Sequence, residues 1–474
     1  MESIGGTEAV EAGILKCRDE FGRLQEKAAK GTGRDSLDAV ERELFADLLR
    51  LGREMIQTRV KAEEALDHGK KEAVDPRGEK LPYHSRKKVS YRSVFGEIEI
   101  ERGYYWEKGS AEGFCPLDAR LNLPSRKDSY LLQEWALRMG VAESYDEVQG
   151  GLSELLGLEI PKRQLEAVAG DAGASGRTFY DQKQAPPPRQ GGPILVVEAD
   201  GKGVPMKKDV PKEKVKRLSK GQKRDKKKMA WVGVVYTTEP RRGEEDDPKP
   251  VGKEVFAEIQ KRDQFVQELF ARAQAREGQV KKKAFLGDGQ RDLWEFRKKY
   301  FPGYEEVLDW MHASEYLWKA AYLFLPESSP QACAWVERQQ KRFRRGQVKD
   351  VIREIQRLVA DETIHGADRP KRAQKIAGYF QTNQKRMRYD RYRRRGLPIG
   401  TGAVEGTCRY LVKDRMERSG MRWTVDGAQA ILTLRGIYVS AHWDRYWPWY
   451  RASEAMKLYG KAATIKAVTS GMAA

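Results

Sequence analysis

Cysteine is scarce in this chain. Of 474 residues only four are cysteines, Cys17, Cys115, Cys333 and Cys408, and they lie far apart. That spacing offers no disulfide framework and no Cys-x-x-Cys pair for a zinc ribbon, and it suits a reducing, cytoplasmic compartment. Histidine is nearly as rare, with five in all. Long apolar runs are missing too. "ILVV" and "AILTL" are the longest, far short of the ~20 residues a membrane-spanning helix needs. The opening "MESIGGTEAVEAG" has neither a basic n-region nor an apolar h-region, so no secretory signal is expected. "GTGAVEG" is not followed by Gly-Lys-Ser/Thr, so a P-loop and a nucleotide cofactor are not expected either.

Charge is what the chain has in abundance. Charged residues make up 34% and hydrophobic ones 39%, the balance of a highly charged globular protein. Lysine and arginine total 89 against 70 acids, for a net charge of +19. Such an excess fits a polyanionic partner, most simply nucleic acid; solubility alone is the plainer alternative.

Hydrophobic spacing divides the chain. Leu37, Val40, Leu44, Leu48 and Leu51 recur at three- and four-residue intervals and mark one face of a helix, suited to a dimer or domain contact. From Val89 the period changes to two, through Tyr91, Ile98 and Ile100, as in a hairpin turning near Phe95-Gly96. "SYDEVQGGLSELLGLEIPKRQLEAVAG" reads as two helices broken at Gly157, with the second starting at Lys162, a helix-turn-helix-like pattern. "DQKQAPPPRQGGP" is a linker. The expected organisation is an N-terminal helical region (1–75), a small β-rich region (80–125) and a helical, helix-turn-helix-like DNA-binding region (126–180). An α/β core (190–325) follows, then a helical insertion (326–395), a second part of the core carrying Glu405 (396–442) and a C-terminal tail (443–474).

Within the core, strands are expected at "ILVVEADGKGVPM", "MAWVGVVYTT", "KEVFAEI", "KKKAFLGDG" and "YEEVLDW", with helices between the last three. Three strands, then helix, strand, helix, strand is the order of an RNase H-like fold, whose first and fourth strands are neighbours. Asp200 and Asp288 would end those two strands and converge, and Glu405 would begin the helix after the insertion and close the site. Three acids so grouped suit a phosphodiester reaction. Two divalent ions about 3.5–4 Å apart activate the attacking oxygen and stabilise the leaving one, and Mg²⁺ prefers such hard oxygen ligands. Taken singly, each acid has a plainer role: Asp-Gly is a turn dipeptide, and Glu405 suits a helix N-terminus with Arg409 one turn on. Glu198 shares a strand face with Asp200 and is expected to pair with a lysine rather than to be an extra ligand. Asp309 ends the fifth strand, and His312 lies three residues on, either a structural histidine or a contact to DNA or metal-bound water at the edge of the site.

Taken in order, "VVEADGKGVPM", "GDGQRDLWEF", "LDWMHASEYLW", "GTGAVEGTCRYLVKDRMERSGMRW" and "AILTLRGIYVSAHWDRYW" resemble the bacterial DDE transposases of the Kra-type insertion sequences, related to the Mutator-like transposases. The resemblance covers roughly residues 80 to 450. It implies an RNase H-like α/β core with an all-helical insertion, in which Asp200, Asp288 and Glu405 match the metal-binding triad and Asp309 with His312 match an Asp-x-x-His signature. It implies two Mg²⁺ ions, which Mn²⁺ would replace, and cleavage of element ends followed by joining to target DNA. The partners implied are double-stranded DNA bearing terminal inverted repeats, target DNA and a second copy in a homodimer. The location implied is cytoplasmic and nucleoid-associated. Relatives often carry paired cysteines after the "YY" of the β-region; here only Cys115 follows, too few ligands for tetrahedral zinc.

DNA would be gripped by the basic run Lys207–Lys228, with Lys226, Lys227 and Lys228 beside the core, and by Arg409, Lys413 and Arg415 after Glu405. Tyr389 and Tyr392 in the basic insertion suit either base stacking or helix packing. Gly420 is read as a helix stop and Trp423 as core. Two other readings remain: an RNase H-like nuclease that cuts without joining, and a transposase-derived DNA-binding protein without catalysis.

Overall fold

Ser36, Ser129, Ser144 and Ser329 each accept a hydrogen bond from the backbone N–H three residues on, and a helix begins after each of them. Their hydroxyls satisfy donors that the first helical turn leaves unpaired. The computed structural model describes residues 4–30, 35–67, 70–110, 112–182, 191–207, 227–240, 249–259, 261–278, 280–360, 369–418 and 420–460. The chain divides into two units, Met1–Gln184 with Asp444–Ala474, and Ala185–Trp443.

The first unit opens with helices α1 (Ile4–Ala29) and α2 (Leu37–Ala65), joined by ion pairs such as Lys16–Glu54 at 2.8 Å. A three-stranded antiparallel sheet follows, β1 (Glu72–Val74), β2 (Lys80–Ser93) and β3 (Gly96–Tyr105). The turn of its long hairpin falls where the sequence places it: Ser93 pairs with Gly96, whose φ of 122° admits a residue without a Cβ. Helices α3 (Pro116–Leu121), α4 (Tyr130–Gly140), α5 (Tyr145–Leu156) and α6 (Lys162–Asp181) complete its N-terminal part. Gly157, at φ 65°, ends α5, so the two-helix pattern is real as secondary structure.

The second unit is built on a five-stranded sheet. Its strands are β4 (Ile194–Pro205), β5 (Lys227–Thr238), β6 (Val251–Glu258), β7 (Lys282–Gly287) and β8 (Glu305–Leu308), in the order β6-β5-β4-β7-β8. The first three pair antiparallel, while β7 and β8 run parallel to β4. Helices α7 (Arg262–Glu277) and α8 (Arg291–Tyr300) link the later strands, as parallel neighbours require. After β8 come α9 (Trp310–Ala321), α10 (Pro330–Arg344), α11 (Val348–Ala360), α12 (Arg369–Asn383) and α13 (Tyr389–Arg394), which fill the stretch expected to be helical. Tyr389 and Tyr392 are buried there, their hydroxyls donating to the carbonyls of Leu308 and Glu306, so packing is their role.

Three short pieces return the chain to the sheet: α14 (Gly402–Thr407), a π-helical stretch Cys408–Lys413 and α15 (Asp414–Met416). Gly420, at φ 73°, and buried Trp423 follow as read from the sequence. Helix α16 (Val425–Val439) then covers the edge strand β6. Gln429 accepts from the Ile259 N–H and donates to the Ala257 carbonyl, while the Ser440 hydroxyl accepts from the Val255 N–H. Edge groups that would otherwise recruit another strand are thereby occupied. A Cβ at Gly436 would sit 3.1 Å from the Val255 carbonyl, so the close approach of α16 needs this glycine.

The stretch read as a C-terminal tail forms a last helix, α17 (Trp443–Tyr459), whose aromatic residues pack. From Asp444 on it belongs to the first unit, where Tyr446, Trp447 and Tyr450 are buried. The Tyr446 hydroxyl donates to the Ala172 carbonyl and that of Tyr459 to Leu123. No described helix is long and apolar enough to cross a membrane.

Candidate functional site

The sheet register brings two acids together. Strand β4 pairs with β7 as far as Glu198 opposite Leu286. Asp200 lies two residues beyond that pair on β4 and Asp288 two residues beyond it, just past the end of β7, and the two are near enough for the charge of Asp288 to act on Asp200. Asp200 does not end its strand, as the sequence suggested. β4 continues to Pro205 against β5, whereas β7 ends at Gly287 and its pairing with β4 stops at Glu198.

Asp200 accepts from the Gly201 N–H at 2.6 Å and from the Cys408 thiol at 3.3 Å. Burial, aided by the charge of Asp288, holds its carboxyl above the usual range, and His312 partly offsets this. Asp288 accepts from the backbone and side-chain nitrogens of Gln290, and its carbonyl accepts from the Tyr379 hydroxyl at 3.0 Å. Tyr379 stacks on Tyr316 with ring centroids 3.7 Å apart, which brings α12 and α9 to this edge of the sheet.

Glu405 is the exposed member of the group. Its carboxylate accepts from the Thr401 hydroxyl at 3.3 Å and lies 4.0 Å from the His312 ring. Burial of its inner part and the charges of Asp309 and Asp200 raise its pKa; His312 and Thr401 oppose them. The three acids called from the sequence therefore share one electrostatic neighbourhood.

Asp309 has a different task. It is fully buried and caps α9. One oxygen accepts from the Thr401 N–H at 2.8 Å, the other from the His312 N–H at 2.8 Å and the His312 ring at 3.2 Å. Burial pushes its pKa up, but these donors outweigh it and leave the carboxyl below the usual range. The hydrogen bond to Asp309 in turn raises His312 to about 9, against the opposing effect of burial, so the ring is an imidazolium at neutral pH. Asp309, His312 and Glu405 bring ligand atoms within 4.8 Å of one another. Within that trio Asp309 accepts hydrogen bonds on both oxygens and orients the His312 ring beside Glu405.

Glu198, read from the sequence as a partner for a lysine, has a buried hydrogen-bonding role. It is fully buried, accepts from the Tyr236 hydroxyl at 2.7 Å and accepts from the Val404 N–H at 2.8 Å. Val404 is in the first turn of α14, so Glu198 on β4 and Asp309 after β8 both hold the start of the helix that carries Glu405. Immediately beyond, the π-helical stretch widens the turn. Arg435 from α16 donates to the carbonyls of Tyr410 and Leu411 there, satisfying acceptors that irregular winding would leave bare.

The basic residues divide. Arg409 and Lys413 are exposed and available to an anion. Arg415 is not: it is fully buried with its guanidinium 5.0 Å from the Trp423 ring centre, so its call as a DNA contact is corrected to a packing role. Lys227 and Lys228 are exposed at the start of β5, and Lys227 pairs with Glu417 at 2.6 Å. Lys226 and most of the basic run lie outside the described residues.

Sequence reasoning missed Cys408, Tyr379 and the role of Glu198. Cys408 had a signal, being three residues after Glu405 and so one helical turn away. Tyr379 had none, because α12 is remote in the chain. No curated protein matches the chain. A family model matches residues 35–449, and on that extent the chain belongs to the uncharacterised protein family UPF0236.

Proposed function

We propose that this protein is a DNA transposase of the DDE type, with an RNase H-like core, that cleaves element ends and joins them to target DNA. The observation that carries the reading is the pair Asp200, on β4, and Asp288, just past the end of the adjacent parallel strand β7, with Glu405 in the same electrostatic neighbourhood. The strand order β6-β5-β4-β7-β8 supports it, as does the net charge of +19.

The donor set fits hard divalent cations. Asp200, Asp288 and Glu405 offer carboxylate oxygens, and Asp200 and Glu405 are held above the usual range first by burial and then by acidic neighbours, a repulsion that cations would relieve. These three residues would hold two Mg²⁺ ions, or Mn²⁺ in their place. When bound, the ions supply Lewis acidity and lower the cost of charge on the attacking and leaving oxygens. Glu198 and Asp309 fix the helix that presents Glu405. His312, a cation beside the acids, is placed to contact a phosphate near the break. Arg409 and Lys413 add exposed positive charge along the same chain segment. The partners on this reading are double-stranded DNA with terminal repeats and target DNA, in the cytoplasm.

The test uses purified protein and duplexes from the sequences flanking its gene. Asp288→Asn is expected to abolish Mg²⁺-dependent strand cleavage, a loss of at least about a hundredfold, while retaining DNA binding. Cleavage by that variant at the parent rate sinks the assignment. A pre-nicked end that is never joined to a second duplex reduces the reading to a nuclease.

A further inference from the structure

The mechanism makes no use of the outward face of α2. Leu37, Val40, Leu44, Leu48 and Met55 stand on it at helical spacing, and each is between 43% and 82% exposed. Half-buried Leu51 lies on the same stripe, which ends at Met55 because Thr58 takes the next position in line. The inward side of α2 is already occupied, since Val60 packs with Ile98 and Ile100 of the sheet and Glu54 pairs with Lys16 of α1. A continuous apolar stripe of this length on a charged protein marks a contact surface.

The charges beside the stripe say what covers it. Glu41 and Arg59 are both exposed and flank it about five turns apart, hence on the same edge at 3.6 residues per turn. A second α2 laid antiparallel, with the twofold axis between Leu48 and Leu51, sets Leu48 against Leu51 and Leu44 against Met55. The same register brings Glu41 of each copy to Arg59 of the other, twice by symmetry. A parallel alignment in register would instead leave Glu41 and Arg59 about five turns apart along the axis and on opposite edges of the pair, so that neither meets the other. The two charges therefore favour the antiparallel orientation, in which the same patch meets itself as in an isologous interface.

We propose that the α2 face is a homodimer interface, formed by antiparallel pairing of α2 with α2 of a second copy of this chain. The proposal stands on the stripe and its charges and does not depend on the catalytic reading. Arg59 also pairs with Glu63 in its own chain, which orients it along the helix and leaves it 74% exposed.

The test is the mass of the full-length protein in solution, by sedimentation over a range of concentrations. The parent is expected to be a dimer. Leu44→Glu with Leu48→Glu is expected to give a monomer with an unchanged circular dichroism spectrum, because both side chains are exposed. Glu41→Arg alone and Arg59→Glu alone are each expected to weaken dimerisation at least tenfold, and the double variant Glu41→Arg/Arg59→Glu to restore it. A monomeric parent overturns the proposal, as does a dimer indifferent to the leucine changes. Failure of the double variant to recover overturns the antiparallel register. DNA cleavage by the monomeric variant is a separate readout, so loss of the interface and loss of the catalytic reading are distinguishable.

Discussion

Glu198 shows how much a single side chain decides here. It is a buried carboxylate two residues from Asp200, and its hydrogen bonds with Tyr236 and Val404 tie β4 to β5 and to α14. Glu198→Ala leaves the Val404 N–H and the Tyr236 hydroxyl without this acceptor, at a cost of about 1–3 kcal/mol for a buried unsatisfied group. Glu198→Gln keeps an acceptor for Val404, and the Tyr236 hydroxyl rotates to suit. Chemical denaturation is expected to rank parent and Gln variant close together, with Ala clearly below. On the catalytic reading, the Ala variant also needs more Mg²⁺ for half-maximal cleavage; an unchanged requirement removes the link to Glu405. His442 is a second informative residue. Burial lowers its pKa from the ordinary 6.5 to about 4, with Arg272 and Arg276 adding to the effect and Glu254 opposing it. Below pH 6.5 the unfolded chain gains a proton that the folded chain refuses. Stability present above 6.5 is therefore lost as pH falls toward 4, at up to about 1.4 kcal/mol per pH unit. Melting temperature is expected to drop between pH 7 and pH 5, and His442→Gln to flatten that part of the profile.

At the scale of elements, much was legible. Strands β4 to β8 form where apolar runs broken by Gly, Asp and Pro place them, because a buried strand and a turn dipeptide each leave a local mark. The winding of the Glu405 helix was not legible. A regular helix puts Arg409 and Lys413 one turn apart, and periodicity has no way to signal that Cys408–Lys413 is π-helical. That irregularity depends on Arg435, whose guanidinium arrives from α16 and holds the Tyr410 and Leu411 carbonyls. The same limit explains Arg415. Its spacing from Glu405 read as surface charge, and only the position of Trp423 and the neighbouring helix decides that it is buried.

At the scale of the whole molecule, the two units are built differently from the chain. The second is one continuous segment, Ala185–Trp443, whereas the first needs both ends, Met1–Gln184 and Asp444–Ala474. Residues 185–443 expressed alone are expected to melt cooperatively. Residues 1–184 alone are expected to melt at a lower temperature than the same unit in the intact chain, because Phe179 loses Tyr446 and Trp449 and the Ala172 carbonyl loses its donor. Thermal denaturation followed by circular dichroism checks both, and an N-terminal fragment as stable as the intact unit contradicts the packing described.

By itself the sequence determined the elements, their order, the positive charge and three acids worth following, since each is written in composition or in a period of two or 3.6 residues. Tertiary structure alone decided which groups meet: Glu198 with Val404 and Asp200 with Cys408 are 206 and 208 residues apart in the chain. Such contacts follow from where α14 and the π-helical stretch pack against β4, and a pattern of neighbours along the chain does not record what a strand will face once folded.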